Sequence, residues 1–129
     1  GWDERWEEFS QWAEKGQKLK DELLWLVDED THSFNLIMDA FGMPKSNEAE
    51  KAARKQAIQN ATKYAIEVPF KTIQRSFDVF EICAAMIEKG NPNSVTDAGV
   101  GVLCARGQHF RRSVNAGDYC VWVMRMQAQ

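Results

Sequence analysis

Apolar residues recur every three or four positions along the first third of the chain, which is the spacing of one face of an α-helix. The series consists of Trp6, Phe9, Ala13, Gly16, Leu19, Leu23, Val27, Phe34, Ile37 and Phe41. Gly42 and Pro44 follow, and both residue types end helices. We therefore predict a helix from about residue 3 to residue 41. Such a helix is much longer than average and needs a partner helix along it.

A second long helix is predicted to begin just after Asn47. Asn47 is a favourable N-cap residue, and Glu50 stands three positions later, as in a capping box. Alanines then recur at every fourth position, at Ala53, Ala57, Ala61 and Ala65. This row favours close packing of two helix backbones over a weakly buried, solvated helix.

The second helix is predicted to continue past Pro69 with a kink, because the apolar pattern runs on without turn residues. Its apolar positions form the most regular stripe in the chain: Ile66, Phe70, Ile73, Phe77, Phe80, Ala84 and Ile87. We expect this stripe to be the core face of the helix. Gly90 and Pro92 end it.

A third helix is predicted to start at Ser94. Asp97, three residues later, suits a capping position and the positive end of the helix dipole. Beyond Arg106 the periodicity decays, and residues 119–126 fit a strand or a helix equally well. We therefore divide the chain into an all-α domain, residues 1–106, and a C-terminal tail, residues 107–129. The expected architecture is an up-and-down bundle of long helices that self-associates.

Composition excludes several classes of function. The chain has a net charge of −3 and no extended basic patch, which argues against nucleic acid as a partner. Its three cysteines include no Cys-x-x-Cys pair, and with only His32 and His109 beside them a metal site is not expected. No apolar run is long enough to span a membrane, and no signal peptide precedes Trp2, so we expect a cytoplasmic protein.

Three stretches, read in order, resemble one known family. They are LVDEDT at residues 26–31 with the segment 34–44, AIEVPF at residues 65–70, and GNPNSVTDAGVG at residues 90–101. Together they are similar to the cyclodeaminase domains of the formiminotransferase-cyclodeaminase family and to the related methenyltetrahydrofolate cyclohydrolases. The resemblance runs from about residue 1 to residue 106.

The resemblance implies a helical, dimer-forming domain that works on tetrahydrofolate carrying a one-carbon unit. In the cyclodeaminase reaction the formimino group on N5 is closed onto N10 and ammonia leaves. This chemistry needs a base for the N10 proton and an acid for the departing nitrogen. It requires no metal or redox cofactor. The implied substrate is a folate that can carry a polyglutamate tail.

The chain also departs from the family pattern. Members usually begin with a glycine-rich segment and a small-residue helix ahead of the long helix, and they continue into a further helix where residues 107–129 diverge. We therefore expect the chain to be incomplete at its catalytic end. The alternatives are a non-catalytic dimerisation module or gene fragment of the same fold, and a cyclohydrolase that adds water instead of expelling ammonia.

Three acidic residues are the candidates for catalysis. Asp30 occupies a stripe position between Val27 and Phe34, and a carboxyl group on a buried face favours its neutral form, as a general acid requires. A structural carboxylate bonded to a neighbouring helix is the alternative. Asp28 points to another side of the helix, as a base or as a solvated surface acid. Asp97 is a capping acid that can also take part in binding the substrate.

Six further residues are candidates for substrate binding: Lys45, Arg54, Asn91, Asn93, Gly99 and Gly101. The two cations suit the carboxylates of a polyglutamate tail, although helical cations usually form a solvated face. The two asparagines belong to the matched motif and suit hydrogen bonds to a pterin edge, or they build the turn. The two glycines leave room for a ligand or for a tightly packed helix.

Overall fold

The computed structural model describes residues 3–108 and 110–111, and their fold is all-helical. Helix α1 spans Trp6–Gly42 and helix α2 spans Glu48–Lys89. A third helix, α3, covers residues 95–108 and continues at 110–111. Short 3-10 turns precede α1 at Asp3–Arg5 and α3 at Pro92–Ser94. The predicted all-α class is confirmed, and the described ranges contain no strand. The predicted tail at 119–126 lies outside the described residues.

Local sequence signals set the ends of α1 and α2. The Asn47 side chain accepts a hydrogen bond from the Glu50 backbone N–H at 2.8 Å, and the Glu50 carboxylate accepts one from the Ser46 N–H at 2.7 Å. The predicted N-cap is therefore confirmed. Helix α2 also continues through Pro69, which is buried inside it, as the unbroken apolar pattern predicted.

Polar contacts fix the antiparallel register of α1 and α2 from one end of the hairpin to the other. Across the two helices, Arg5 donates to the Lys89 carbonyl, Lys15 pairs with Glu81, Glu22 with Arg75 and Glu29 with Tyr64, and Arg54 donates to the Phe41 carbonyl. The residue numbers on α1 rise steadily as those on α2 fall. The pairs therefore describe one continuous hairpin of two long helices.

Small side chains occupy the contact line between α1 and α2. Buried residues recur at seven-residue spacing on both helices, as Leu19, Leu26, Ser33 and Ala40 on α1 and as Thr62, Pro69, Ser76 and Cys83 on α2. This period is typical of helices that wrap around each other with a left-handed twist. Ala61 and Ala65 are buried with them, which confirms close backbone packing for that part of the alanine row.

The buried hydroxyl groups on this contact line are hydrogen-bonded within their own helices. Thr62 donates to the Ile58 carbonyl at 2.7 Å, and Ser76 donates to the Thr72 carbonyl at 2.8 Å. Such back-bonding satisfies a buried hydroxyl without a partner from another helix. Small polar residues can therefore replace larger apolar ones where the two backbones approach each other.

The prediction that the apolar stripe of α2 forms its core face is wrong for the largest side chains of that stripe. Phe70 and Phe77 are 56% and 55% exposed, and Ile87 is 42% exposed. The bulky stripe lies about a quarter turn away from the small residues that contact α1, at the usual rotation of about 100° per residue. Bulky rings on the contact line would hold the helices apart, so they lie at its edge, where Ile66 and Ile73 are half-buried.

The two flanks of the hairpin differ in chemistry. One flank, the apolar flank, carries the exposed residues Val27, Phe34 and Met38 of α1 and Phe70 and Phe77 of α2. The opposite flank, the polar flank, carries the pairs Glu22–Arg75 and Glu29–Tyr64. A cluster of exposed apolar side chains of this kind is typical of faces that contact another molecule.

Helix α3 packs against the C-terminal half of α2. A Cβ atom added to Gly101 would lie only 3.2 Å from the Cys83 sulfur, so a glycine fits this contact best. Burial raises the pKa of the Cys83 thiol, which is typical of a structural cysteine and not of a reactive one. No helix in the described part of the chain is both long and apolar enough to cross a membrane.

Candidate functional site

The two central acids occupy opposite environments in the middle of α1. Asp30 is half-buried and lies beside the apolar flank, whereas Asp28 is exposed on the outer face of the helix. The Asp30 backbone carbonyl accepts a hydrogen bond from the buried Ser33 hydroxyl at 2.8 Å. At its stripe position Asp30 is thus partly buried in this structure. A protein surface packed on the apolar flank would bury it further.

Glu29, between these acids, forms a pair that the sequence did not predict. The Tyr64 hydroxyl donates a hydrogen bond to the Glu29 carboxylate across the polar flank. This hydrogen bond, followed by burial and by the negative charges of Glu29 and Glu67, raises the pKa of Tyr64. The phenol therefore stays protonated over the whole physiological range and links α1 to α2 at the level of Asp28 and Asp30.

The matched segment before α3 forms a tight turn. The Asn91 side chain accepts a hydrogen bond from the Asn93 backbone N–H at 3.0 Å, and the Asn91 carbonyl accepts one from the Ser94 N–H at 2.9 Å. Asn91 therefore builds the turn, while the Asn93 side chain is exposed. Asp97 follows in the first turn of α3 and is also exposed.

The two glycines of α3 differ in their surroundings. Gly101 packs closely on Cys83, so this glycine has a packing role. A Cβ atom added to Gly99 would meet no atom within 4 Å in the described part of the chain. Helix packing within the described part of the chain therefore does not require a glycine at position 99.

One chain does not bring Asp30 and Asp97 together. Tyr64 of α2 marks the level of Asp28 and Asp30, and Cys83 of α2 marks the level of Gly101. Between these two residues α2 advances about 28 Å at its usual rise per residue. Asp97 lies one further turn away, because α3 begins near the C-terminal end of α2. The three candidate acids cannot act on one small substrate within a single chain.

The candidate cations Lys45 and Arg54 lie near the connection between α1 and α2. Arg54 and the neighbouring Lys51 already have partners within the chain. Arg54 donates from Nη2 to the Phe41 carbonyl at 3.2 Å and lies 5.6 Å from the centre of the Phe41 ring. It therefore caps the C-terminal end of α1. Lys51 pairs with Glu48 at 2.6 Å. Lys45 is exposed in the connection between the helices.

A cleft of about 380 Å³ opens between α1 and α2 near the same end. Its lining residues are Leu36, Asp39, Ala40, Met43, Ala57, Asn60, Ala61 and Tyr64. No pattern in the sequence singles out Asp39, Asn60 or Tyr64, because each looks like an ordinary solvated position of its own helix. Only the register of the hairpin places the three polar groups on one cleft. In the described ranges no three His, Cys, Asp or Glu side chains are grouped to hold a metal ion.

Comparison with known proteins identifies the family of the chain. The sequence model described as formiminotransferase-cyclodeaminase matches residues 1–115. The chain is similar to a protein from Methylorubrum extorquens named methenyltetrahydrofolate cyclohydrolase, with 38% identity over 98 residues that cover 76% of this chain and 47% of the relative. It is also similar to formimidoyltransferase-cyclodeaminase of Gallus gallus, with 29% identity over 102 residues that cover 76% of this chain and 19% of the relative.

The chain therefore spans less than half the length of either relative. The matched region includes both long helices, the turn at Asn91 and the whole described part of α3. A match of this extent establishes the family, as the three ordered stretches indicated. The chain belongs to the formiminotransferase-cyclodeaminase family.

Proposed function

We propose that this chain is part of an enzyme that closes a one-carbon unit between N5 and N10 of tetrahydrofolate, as a formiminotetrahydrofolate cyclodeaminase. The observation that carries the proposal is the family match over residues 1–115. The substrate is a tetrahydrofolate with a formimino group on N5. The products are 5,10-methenyltetrahydrofolate and ammonia.

The proposed reaction needs one proton acceptor and one proton donor. A base removes the N10 proton as N10 attacks the formimino carbon, and an acid protonates the nitrogen that leaves as ammonia. Exposed Asp28 is the proposed base. Half-buried Asp30, at the edge of the apolar flank, is the proposed acid.

We further propose that the active form is a homodimer that buries the apolar flank. The flank carries Phe34, Phe70 and Phe77, each at least half exposed in one chain. A second copy that covers this surface would also enclose Asp30 at its edge. An antiparallel arrangement would bring the Asp97 end of one hairpin toward the Asp30 level of its partner, which a single chain cannot do.

Turnover of 5-formiminotetrahydrofolate by the purified chain tests the cyclodeaminase proposal. We expect ammonia and 5,10-methenyltetrahydrofolate to form in equal amounts. Asp30→Asn should abolish turnover while circular dichroism shows unchanged helicity. If the wild-type chain binds no reduced folate and releases no ammonia, the remaining candidate is a non-catalytic dimerisation module of the same fold.

Methenyltetrahydrofolate cyclohydrolase is the second candidate function. The relative with 38% identity carries this name, which favours it. Here water adds to the methenyl carbon, so the substrate is the product of the first proposal. Hydrolysis of 5,10-methenyltetrahydrofolate faster than its spontaneous rate, without ammonia release from the formimino compound, would select this reaction over the first.

A further inference from the structure

The outer face of α3 is apolar and is not covered by any described part of the chain. Gly101 packs on α2 and Ala105 is buried, so these two residues face the hairpin. Leu103 lies two residues from each of them, which turns its side chain about 160° away. On this outer side Val100, Leu103 and Phe110 are 58%, 66% and 73% exposed. A helix that is apolar on both sides is typical of one packed between two partners.

The same face leaves room for another helix to approach closely. Gly99 and Gly107 stand four residues before and four residues after Leu103. A Cβ atom added to either glycine would meet no atom within 4 Å in the described ranges. The distance between two packed helices depends on the size of the side chains at their contact, so a neighbouring helix can come close to the backbone here.

One edge of this face carries opposite charges at its two ends. Asp97, Cys104 and Arg111 are spaced by seven residues, so they lie in one row along α3, and all three are exposed. No described residue forms an ion pair with Asp97 or Arg111. The acid lies about 10 Å before Cys104 along the helix and the base about 10 Å after it. Arg106 is also exposed and lies on the opposite edge, outside this row.

We infer that α3 pairs with α3 of a second copy of this chain, antiparallel, about a two-fold axis beside Cys104. The row of charges is complementary to a reversed copy of itself. Asp97 then lies at the level of the partner's Arg111, and this ion pair occurs twice by symmetry. A parallel pair would instead place Asp97 beside Asp97 and Arg111 beside Arg111, and like charges that face each other are unfavourable. The charges thus select the antiparallel pair, and the apolar face is buried between the two helices.

This interface is separate from the proposed dimer through the apolar flank. The flank consists of side chains on α1 and α2, such as Phe34 and Phe70, whereas the outer face of α3 points away from the hairpin. A chain with both faces joins one copy through each of them. Two such self-complementary interfaces on one chain produce assemblies larger than a dimer, of which a closed tetramer is the smallest.

The test is sedimentation equilibrium of the whole chain carrying Phe70→Glu, which weakens association through the apolar flank. We expect this chain to remain a dimer through α3. Adding Asp97→Lys or Arg111→Asp places like charges opposite each other twice per dimer, and each should weaken the dimer at least about fivefold. Adding both restores opposite charges and most of the affinity. Lys71→Asp is the matched control, because Lys71 is exposed and lies seven residues after Tyr64 on the polar-flank side of α2.

Cys104 gives a second readout that does not alter the charges. In a Cys120→Ser chain, a short bismaleimide should join two copies through Cys104, because Cys83 is buried. A monomeric Phe70→Glu chain would overturn the inference. So would equal dimer affinity in all charge variants, or a folded double charge variant that is as weak as the single ones. None of these outcomes bears on the proposed function, which folate binding and turnover test.

Discussion

The pair Glu29–Tyr64 should be a measurable part of the stability of the hairpin. Tyr64→Phe removes the hydroxyl that donates to the Glu29 carboxylate and leaves the ring in place. A hydrogen bond to a charged group contributes roughly 1.5–3 kcal/mol. Tyr64 is half-buried, so water competes and we expect a loss of about 1 kcal/mol in the free energy of unfolding, or about 3–6 °C in Tm.

A double-mutant cycle with Glu29→Gln separates the pair from other effects of each substitution. Urea denaturation of the wild type, the two single variants and the double variant should give a coupling of at least about 0.5 kcal/mol. Coupling near zero would refute the contact and the register built on it.

The pH dependence of the stability difference between the wild type and Tyr64→Phe gives an independent check. The pKa of Tyr64 in the folded chain is raised above its ordinary value of 10.0. A raised pKa means that the folded state holds the proton more tightly than the unfolded state. The stability difference between wild type and Tyr64→Phe should therefore be full below pH 10 and should shrink as the pH rises through the folded pKa. A difference that grows above pH 10 would contradict the assignment.

Two further predictions concern surfaces with proposed roles. Gly99→Ala should stabilise the chain by about 0.5–1 kcal/mol, because a Cβ atom there meets nothing within 4 Å and alanine favours a helix over glycine. Thermal unfolding measures the change in stability, and Gly107→Ala, at an equally open position, is the control. If a ligand approaches Gly99, only Gly99→Ala should weaken folate binding. Phe70→Glu should weaken self-association in sedimentation equilibrium with helicity unchanged, because Phe70 is 56% exposed. Gln11→Glu is the control, since Gln11 is exposed and lies five whole turns before Glu29 on the polar-flank side of α1, and it should leave the association as in the wild type.

Features that depend on neighbouring residues could be predicted from the sequence. The start of α2 is an example, since the Asn47 side chain and the Glu50 backbone are three residues apart and form the cap without help from the rest of the chain. The extent of α1 and the continuity of α2 through Pro69 follow in the same way from periodicity within a single helix.

Features that depend on how two helices face each other could not be predicted. Periodicity identifies an apolar stripe with Phe70 and Phe77, but it does not say which residues contact the partner helix. In the hairpin that place is taken by small residues such as Ala65, because they let the backbones approach. The pair Glu29–Tyr64 likewise depends on the register of α1 against α2.

The candidate site was predicted from its place in the sequence pattern. Asp30 stands at a stripe position and is half-buried beside the apolar flank, while its role in catalysis stays a prediction. The sequence pattern also grouped Asp30 with Asp97 because both lie in matched stretches. Two residues in matched stretches need not be close in space. Along α2, Asp97 lies one helical turn beyond a level that is itself about 28 Å from the level of Asp30.

Titration calorimetry of the purified chain with 5,10-methenyltetrahydrofolate tests the central claim most directly. This compound is the product of the first proposed reaction and the substrate of the second, so both require a site for it. The account predicts saturable binding at one site per chain. Absence of binding by a chain whose circular dichroism shows the helical fold would contradict it.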